Sequence, residues 1–494
     1  MDIAKRLDSH LLIPIAEVRA LADQAFSRIA GAPLVPGNHV RLLVDARENY
    51  PAWLKAINEA QKYILFENYL IQEDAVGRKF ADALITKAQD GVHVRLVYDW
   101  LGCLGTTSRK FWNRLRMNGV DVRCYNPPRL DSPLGWVSRD HRKLLSVDGQ
   151  VGFVSGLCVA RRWEGIPERR IEPWRDTGIE VRGPLVTDIE RAFAQIWALT
   201  GDPLPAAEIS DQNELMPVGQ TAMRIVANLP ASTGTFRLDQ LVAALARKRL
   251  WLTDAYYVGT TGYVQTLRAA AQDGVDVRLL VPNGTNIPLL KPLSRAGYRT
   301  LLEAGVRIFE WNGTMIHAKT AVADGLWARI GSTNLNITSW LGNCELDAVV
   351  EDEAFAKEME DMYLHDLTNA TEIVLDQRFR VRAPGQPVSL HPIIASGGGK
   401  TGRAGTGAVR ITHTVGAAFS NRRELHPFEA RSMTAAGVGF LMLSILTALF
   451  PRVISYPIIA ALLWFGSTLL YRSYKMHRIR RTQNKQEGKT PAHQ

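Results

Sequence analysis

Residues 88–97 read AQDGVHVRLV, and residues 271–280 read AQDGVDVRLL. In both places a helix-like stretch runs into a glycine and then into a stretch rich in β-branched residues. A second echo follows, because GVDVR at 119–123 resembles GVRIF at 305–309. The two echoes lie 183 and 186 residues apart, so the register is sustained along the chain. This pattern indicates an internal duplication.

Each half of the duplication alternates strand-like and helix-like stretches. Strands are predicted at 40–46, 63–70, 92–100 and 120–125, and then at 223–229, 250–258, 275–281 and 306–311. Helices are predicted at 52–61, 77–90 and 263–273. Such alternation predicts α/β layers in which helices cover a sheet. Two similar halves further suggest pseudo-two-fold packing with a site at their interface.

The overall composition narrows the class of partner. The chain has 494 residues, of which 46% are hydrophobic, and a net charge of +10. That charge favours an anionic partner, either nucleic acid or an anionic membrane, although basic residues also keep proteins soluble. The four cysteines form no C-x-x-C pair, which argues against a disulfide framework or a zinc ribbon.

The C-terminal part has a different composition. Residues 434–450 and 453–471 carry no charged side chain, and basic residues flank the pair on both outer sides. Each stretch is just long enough to span a membrane, and the basic flanks place both outer ends in the cytoplasm. The alternative is a buried soluble helical hairpin. The predicted order is an N-terminal segment 1–36, repeats 37–205 and 206–380, a flexible linker 381–432, a transmembrane hairpin 433–472 and a basic tail 473–494.

Two short motifs carry the chemistry. Residues 141–148 read HRKLLSVD and residues 317–324 read HAKTAVAD, so each has a His, a Lys two residues later and an Asp five residues after the Lys. In a strand, residues two apart project from the same face, so each His and Lys project together. A neutral imidazole beside an ammonium pairs a nucleophile or base with a group that stabilises an oxyanion.

Two such pairs facing each other would hold a phosphate diester between two lysines and two histidines. One His can attack phosphorus, while the other protonates the leaving alcohol and deprotonates the incoming one. The lysines and nearby Ser and Asn dipoles neutralise charge, so no metal or other cofactor is required. A single copy would usually be structural. Two complete copies, one late in each half, favour a catalytic role.

The two motifs resemble those of the phospholipase D superfamily, and the resemblance spans roughly residues 38–370. It implies an α/β/α sandwich of two repeats that share one active site, a phosphohistidine intermediate and no metal. His141 and His317 would be the nucleophile and the acid/base, in an order left open. The resemblance also implies that Lys143, Lys319 and Asn334 bind phosphate, with Ser332 supporting them. Asp148 and Asp324 would position the site, and we group them with the catalytic residues. Glu345 would orient a histidine.

The first motif departs from the family pattern. Cys158 stands where Asn is expected, and Ser155 stands where Gly is usual. Phosphate contacts from that half would then be weaker or altered. A small buried residue explains Cys158 better than a catalytic thiol does.

Three further stretches resemble the bacterial cardiolipin synthases: HRKLLSVDGQVGFVSG, PWRDTGIEVRGP and ILFENYLIQEDAVG. The resemblance implies transfer of a phosphatidyl group from phosphatidylglycerol to another lipid alcohol, giving cardiolipin and glycerol. The expected partners are phospholipids and an anionic membrane surface, without nucleic acid. The expected location is the bacterial inner membrane, with the catalytic part on the cytoplasmic side.

Three alternatives stay open. A phospholipase D hydrolase would use the same residues with water as acceptor. A nuclease of the same superfamily would suit the positive charge, although much of that charge lies beside the predicted membrane segment. A degenerate lipid-binding scaffold is disfavoured because both motifs keep His, Lys and Asp. The acceptor lipid and the oligomeric state are not specified by the sequence.

Overall fold

The computed structural model describes residues 15–128, 137–212, 215–284, 286, 290–375, 381 and 382, together with isolated positions between 438 and 474. The described residues up to 382, apart from Pro128 and Val137, form one compact unit. The two predicted repeats therefore lie within a single unit.

The helices and strands follow one another in nearly the same order in both repeats. The helices are α1 (Ile15–Ala30), α2 (Asp45–Glu59), α3 (Ala75–Gln89), α4 (Arg109–Met117), α5 (Arg161–Glu164), α6 (Val186–Thr200), α7 (Gly234–Leu245), α8 (Thr261–Gln272), α9 (Leu290–Leu302) and α10 (Glu353–Leu367). The first-repeat strands are β1 (Val35–Val44), β2 (Tyr63–Asn68), β3 (His93–Asp99), β4 (Asp121–Tyr125), β5 (Lys143–Val147), β6 (Val151–Ser155) and β7 (Thr177–Arg182). The second-repeat strands are β8 (Thr221–Asn228), β9 (Arg249–Thr253), β10 (Asp276–Pro282), β11 (Arg307–Trp311), β12 (Thr320–Ala323), β13 (Trp327–Gly331) and β14 (Glu345–Glu351), followed by β15 (Ala370–Leu375) and β16 (Val381–Arg382).

All the described strands belong to one continuous sheet. From the centre outward, the first repeat runs β1-β7-β6-β5-β2-β3-β4, and the second runs β8-β14-β13-β12-β9-β10-β11 before β15 and β16. The two orders match strand for strand. They meet where β1 and β8 pair antiparallel, with Val35 opposite Met223. The matching order confirms the predicted duplication.

Three clusters of buried apolar side chains hold the helices against the sheet. One cluster packs α2, α3 and α4 on the first repeat, with Trp53 and Phe80 among its members. A second packs α7 and α8 on the second repeat. The third spans both repeats and contains Phe193 of α6 and Met359 of α10. Helices therefore cover the sheet on both faces, as an α/β/α sandwich requires.

Some predicted strand ends were wrong, and for the stretch predicted at 250–258 the cause is a buried carboxylate. The stretch predicted as strand 250–258 leaves the sheet after Thr253, and that predicted at 40–46 ends at Val44. The side chain of Asp254 accepts the backbone N–H groups of Leu335 at 2.9 Å and Tyr256 at 3.1 Å. A buried carboxylate that captures backbone donors in this way competes with the strand ladder.

The motif aspartates hold the turns that follow β5 and β12. The carboxylate of Asp148 accepts the backbone N–H groups of Gln61, Lys62 and Tyr63 at 2.7 to 2.8 Å, at the start of β2. Asp324 accepts the equivalent three N–H groups before β9 at 2.8 to 3.0 Å. Both residues have positive φ, 57° and 53°, a conformation that Asp and Asn tolerate better than most side chains.

The predicted transmembrane hairpin, the linker and the basic tail lie largely outside the described residues. Within the part of the chain that the structure describes, no helix is both long and apolar enough to cross a membrane.

Replacing Asp148 with Ala should lower the free energy of unfolding by about 1 to 3 kcal/mol, because three backbone donors lose their acceptor and Ala is strained at positive φ. Asp148→Asn keeps one acceptor oxygen and the tolerated conformation, so it should lose less. Chemical unfolding of the full chain in detergent measures both. Equal stability of Asp148→Ala and the wild type would contradict this structural role.

Candidate active site

The two motif histidines are each anchored by a segment of the other repeat. The backbone N–H of His141 donates to the carbonyl of Cys344 at 2.9 Å, and the N–H of Cys344 returns a bond of 2.8 Å to Arg139. In the same way the N–H of His317 donates to Arg175 at 2.7 Å, and the N–H of Arg175 returns a bond of 2.9 Å to Met315. These two short parallel bridges cross the joint between the repeats.

The residues that follow these bridges supply a carboxylate to each imidazole. Nδ1 of His141 lies 2.9 Å from Oε2 of Glu345, and Nδ1 of His317 lies 2.7 Å from Oδ2 of Asp176. A carboxylate at Nδ1 fixes the tautomer and leaves Nε2 with its lone pair. Each histidine is therefore oriented by an acid from the opposite repeat.

The two orienting carboxylates have different supports. Glu345 accepts hydrogen bonds from the hydroxyls of Ser332 at 2.5 Å and Ser339 at 2.6 Å. Asp176 instead accepts from the indole N–H of Trp163 at 2.9 Å. A side chain at Gly156, the position equivalent to Ser332, would meet Oδ1 of Asp176 at 2.2 Å. The glycine thus makes room for the shorter acid.

Both lysines are buried beside their histidines. Lys143 and Lys319 are each 1% exposed. Nζ of Lys319 lies 3.1 Å from Nε2 of His317, and Nζ of Lys143 donates to the carbonyl of His141. Burial, together with the nearby Lys143, lowers the pKa of Lys319 to about 8, although Asp176 partly offsets this. The lysines thus provide concentrated positive charge without competing water.

Burial keeps both imidazoles neutral. Desolvation lowers the pKa of His317 to about 3, with a further contribution from Lys319, against the raising effect of Asp176. Desolvation also lowers the pKa of His141, although Glu345 opposes it. Despite their own burial, Asp176 has a pKa lowered to about 2 and Glu345 a lowered pKa, because of the adjacent histidines and lysines. At neutral pH the site therefore pairs neutral imidazoles with ionised acids.

Aromatic side chains enclose the histidines. The ring of Tyr69 lies 5.0 Å from that of His141, edge to face. Around His317 stand Trp163 at 5.3 Å, Trp174 at 5.6 Å and Tyr256 at 5.7 Å. These rings exclude water from the face on which the imidazoles lie.

This arrangement can be compared with known proteins. A family model described as cardiolipin synthase, PLD-like domain, matches residues 53–197 and 242–367. The chain belongs to this family. It is 31% identical over 370 residues to cardiolipin synthase A of Pseudomonas aeruginosa, with 73% of each chain covered. It is 30% identical over 345 residues to cardiolipin synthase of Alkalihalophilus pseudofirmus, covering 69% of this chain and 68% of that one.

A solved structure gives the same architecture at low identity. The crystal structure of phosphatidylserine synthase from Haemophilus influenzae superimposes with a TM-score of 0.57 and 13% identity, over 71% of this chain and 91% of that chain. This likeness concerns the fold. It supports the phospholipase-D-like α/β architecture. The family match and the cardiolipin synthase relatives support phosphatidyltransferase chemistry.

In this member of the cardiolipin synthase family, the structure brings most of the predicted site residues together. The two histidines, the two lysines and Glu345 meet at the joint between the repeats, and Ser332 supports Glu345. Asn334 lies nearby, buried, with its Nδ2 at 3.4 Å from the Ser339 hydroxyl and its Oδ1 without a partner among the described residues.

Asp148 and Asp324 lie elsewhere. Each is separated from its histidine by the whole of β5 or β12, so it stands at the opposite end of the strand. At about 3.3 Å per residue, seven residues of extended chain correspond to roughly 23 Å. Grouping these aspartates with the catalytic residues therefore does not match their placement, whereas a positioning role for the strands does.

Three residues of the site were missed by the sequence analysis: Asp176, Trp163 and Ser339. Asp176 lies in the stretch PWRDTGIEVRGP, which resembles the cardiolipin synthases but does not by itself assign the aspartate a role. The duplication could have revealed it, because β7 and β14 occupy equivalent places in the sheet and Asp176 and Glu345 lie at their beginnings. Trp163 and Ser339 act through tertiary contacts, which no local sequence pattern predicts.

Cys158, which replaces the expected Asn, is 2% exposed and packs in the first apolar cluster. Burial raises the pKa of its thiol, although the two lysines oppose this effect. Within the described residues, no group of three or more His, Cys, Asp or Glu side chains is arranged to hold a metal ion.

The lowered pKa of His317 predicts a pH dependence of stability. An unfolded chain binds the proton near pH 6.5, whereas the folded chain does so only near pH 3, so falling pH favours the unfolded state between these values. From pH 7 to pH 5 this group should remove about 2 kcal/mol of unfolding free energy.

Unfolding of the wild type and His317→Gln at both pH values measures this contribution as the difference between their losses. His39→Gln, a change on the exposed side of β1, is the control. If wild type and His317→Gln lost the same free energy, burial would not be holding this imidazole neutral.

Proposed function

We propose that this protein moves a phosphatidyl group from one phosphatidylglycerol to the headgroup hydroxyl of another, forming cardiolipin and releasing glycerol. The observation that carries the proposal is the pair of buried histidines, each oriented by a carboxylate of the opposite repeat. The relatives named cardiolipin synthase support the choice of lipid.

In the first half-reaction, Nε2 of one histidine attacks the phosphorus of the donor lipid. The bond from phosphorus to the headgroup glycerol oxygen breaks, and the other histidine, protonated, donates its proton to that oxygen. The product is a phosphatidyl-histidine and free glycerol. The bound phosphate is an anion and raises the proton affinity of the second imidazole, which is otherwise neutral.

In the second half-reaction, the acid becomes a base. It removes the proton from the acceptor hydroxyl, whose oxygen attacks phosphorus, and the phosphorus–nitrogen bond breaks. The new diester leaves and the first imidazole is regenerated. The ionised Asp176 and Glu345 stabilise whichever imidazole carries positive charge, as carboxylates do in hydrolase triads.

The lysines are assigned to the non-bridging phosphate oxygens. Lys143 begins β5 and Lys319 immediately precedes β12; both are buried, so their charge is little screened. Among the described residues the side-chain amide of Asn334 makes one long contact, 3.4 Å to the Ser339 hydroxyl, and it is suited to join the lysines. Ser332 supports Glu345, and Asp148 and Asp324 position the motif strands.

Transfer is favoured over hydrolysis by the enclosure of the site. His141 is 8% exposed and His317 is 4% exposed, behind four aromatic rings. Excluding water protects a reactive phosphohistidine until an alcohol arrives. A phospholipase D hydrolase, with water as acceptor, is the second candidate, and a nuclease is the third.

Lipid mass spectrometry of the purified protein in mixed micelles with phosphatidylglycerol tests the function. Wild type should produce cardiolipin and glycerol in equal amounts. His141→Ala and His317→Ala should each lower the rate at least about a thousandfold, because each removes an essential group. His39→Ala, on the exposed side of β1, is the matched control.

Phosphatidic acid as the main product would replace the transferase with a hydrolase. No turnover of any lipid by a folded protein would contradict the proposal and direct attention to nucleic-acid diesters.

We further propose that residues 433–472 form a membrane hairpin with both ends in the cytoplasm, holding the site at the anionic inner face of the bacterial inner membrane. The support is the sequence: two uncharged stretches with basic flanks. An anchor at the bilayer surface suits a substrate that resides there.

Arginine near the centre of each span should weaken the anchor, at a cost of about 2.5 to 3.5 kcal/mol per residue. Carbonate extraction of bacterial membranes should leave wild type and the tail variant Gln483→Arg in the pellet and release Ile445→Arg/Leu463→Arg. Complete extraction of the wild type would contradict the hairpin.

A further inference from the structure

In the first repeat an arginine lies two residues before the motif histidine, and the second repeat has no cation at the equivalent position. Arg139, His141 and Lys143 alternate along the segment that leads into β5, in which Asp140 forms a parallel bridge with Cys344, so the alternation of strand faces places all three on one face. The equivalent row in the second repeat is Met315, His317 and Lys319. Met315 is 1% exposed and packs in an apolar cluster. The otherwise matched half-sites therefore differ by one cation.

The guanidinium of Arg139 uses only part of its bonding capacity. Nη1 donates to Oδ1 of Asp99 at 3.1 Å. Nε and Nη2 are buried and have no hydrogen-bond partner among the described residues. The whole residue is 6% exposed. Unpaired donors at such a depth are costly unless a ligand completes them.

The two unpaired nitrogens, Nε and Nη2, form the edge of the guanidinium that binds oxyanions. Nε–H and Nη2–H lie parallel, and this fork binds a phosphate or carboxylate through two bonds. Asp99 holds the opposite side and also accepts the N–H of Asp140 at 2.9 Å and of Gly102 at 2.9 Å. The arginine is thus fixed in orientation with its fork unused.

The second repeat lacks this whole arrangement. Asp99 ends β3, and the equivalent end of β10 is Pro282. The arginine and its aspartate are therefore replaced together, by Met315 and Pro282. A pair that exists in one repeat only is not required by the duplicated fold.

The proposed reaction has a matching asymmetry. The donor lipid brings one phosphate, which reacts between the histidines. The acceptor phosphatidylglycerol brings a second phosphate, which does not react and lies on one side only. We propose that Arg139 binds this second phosphate and thereby selects a phospholipid as acceptor. This inference rests on the proposed transfer between two phosphatidylglycerol molecules.

The spacing of the row suits such an acceptor. Residues two apart in an extended chain are about 6.6 Å apart. A three-carbon glycerol links the phosphate of phosphatidylglycerol to its terminal hydroxyl, so the phosphate can lie at Arg139 while the hydroxyl lies at His141. Tyr69 lies at the His141 end of this span, with its ring 5.0 Å from that of His141.

The structural alternative is that Arg139 only neutralises the buried Asp99. That role would need a positive charge but no free fork. The two roles differ in what a substitution changes, because loss of a structural ion pair lowers all activity equally. Loss of an acceptor contact changes only the fate of the phosphatidyl-enzyme.

Product partitioning separates the two roles. The full-length protein in mixed micelles receives phosphatidylglycerol together with isotopically labelled glycerol, which carries no phosphate. The phosphatidyl-enzyme then yields either labelled phosphatidylglycerol or cardiolipin. Because both products come from one intermediate, their ratio does not depend on how well the donor binds or how much enzyme is folded.

Arg139→Lys should lower the ratio of cardiolipin to labelled phosphatidylglycerol about tenfold or more, while labelled phosphatidylglycerol still forms. Lys keeps the charge beside Asp99 but loses the fork. Arg139→Gln/Asp99→Asn removes the ion pair as a whole and should lower the ratio further. Arg95 lies on β3 and pairs with Glu208, so Arg95→Lys is the matched control and should leave the ratio unchanged.

An unchanged ratio in both Arg139 variants would overturn the inference and leave the transferase function standing. If wild type formed labelled phosphatidylglycerol but no cardiolipin, both the acceptor assignment and the Arg139 site would fail, while the phosphohistidine chemistry would hold. If wild type formed neither product, the proposed function itself would fail.

Discussion

The active site depends on two short backbone bridges that join the repeats. At each bridge, a motif histidine pairs with the residue just before an orienting acid: His141 with Cys344 and His317 with Arg175. The next residue in each case supplies the carboxylate. Neither repeat holds a complete half-site, because every histidine takes its acid from the other. A covalent duplication guarantees this exchange within one chain.

The charges around these bridges explain why the segment Trp174 to Thr177 has its composition. The guanidinium of Arg175 donates to Asp366 at 2.9 and 3.0 Å and to Asp45 at 3.2 Å. Asp366 belongs to α10 of the second repeat and Asp45 begins α2 of the first. The arginine therefore fastens the bridge on both sides, and Asp176 beside it is held in place. A buried charge is tolerable here because it is fully paired.

Sequence reasoning reached the fold class, the duplication and the motif residues because each depends on local patterns or on a repeat. Alternation and the strand-face rule placed His141 with Lys143 and His317 with Lys319. Glu345 was anticipated by resemblance, and its contact with His141 agrees with that role. The ends of strands were less accessible. Asp254 ends β9 by accepting the N–H groups of Tyr256, two residues on, and of Leu335, which is 81 residues away and is not indicated by any local pattern.

The same limit applies within the site. The sequence showed that Asp148 and Asp324 repeat with the motifs, but spacing alone does not say whether a repeated acid meets substrate or backbone. Each of the two carboxylates accepts three backbone N–H groups, so these aspartates meet backbone and not substrate. Asp176 was hidden for the opposite reason: its chemistry is that of Glu345, yet its surroundings differ, with Trp163 in place of serine hydroxyls. The predicted hairpin still rests on sequence alone.

The two repeats keep equivalent residues at positions that the reaction uses in both, and they differ at positions where the bound molecules differ. Both histidines act on the same phosphodiester, one as the nucleophile and the other as the acid and base, so the orienting acids and lysines are retained in both repeats. The bound molecules are not symmetric, since one loses a headgroup and the other gains a phosphatidyl group. Differences between the repeats gather around the shared centre: Cys158 against Asn334, Gly156 against Ser332, and Arg139 against Met315. Only the last of these adds a charge, and a charge is what distinguishes a phospholipid acceptor from glycerol or water.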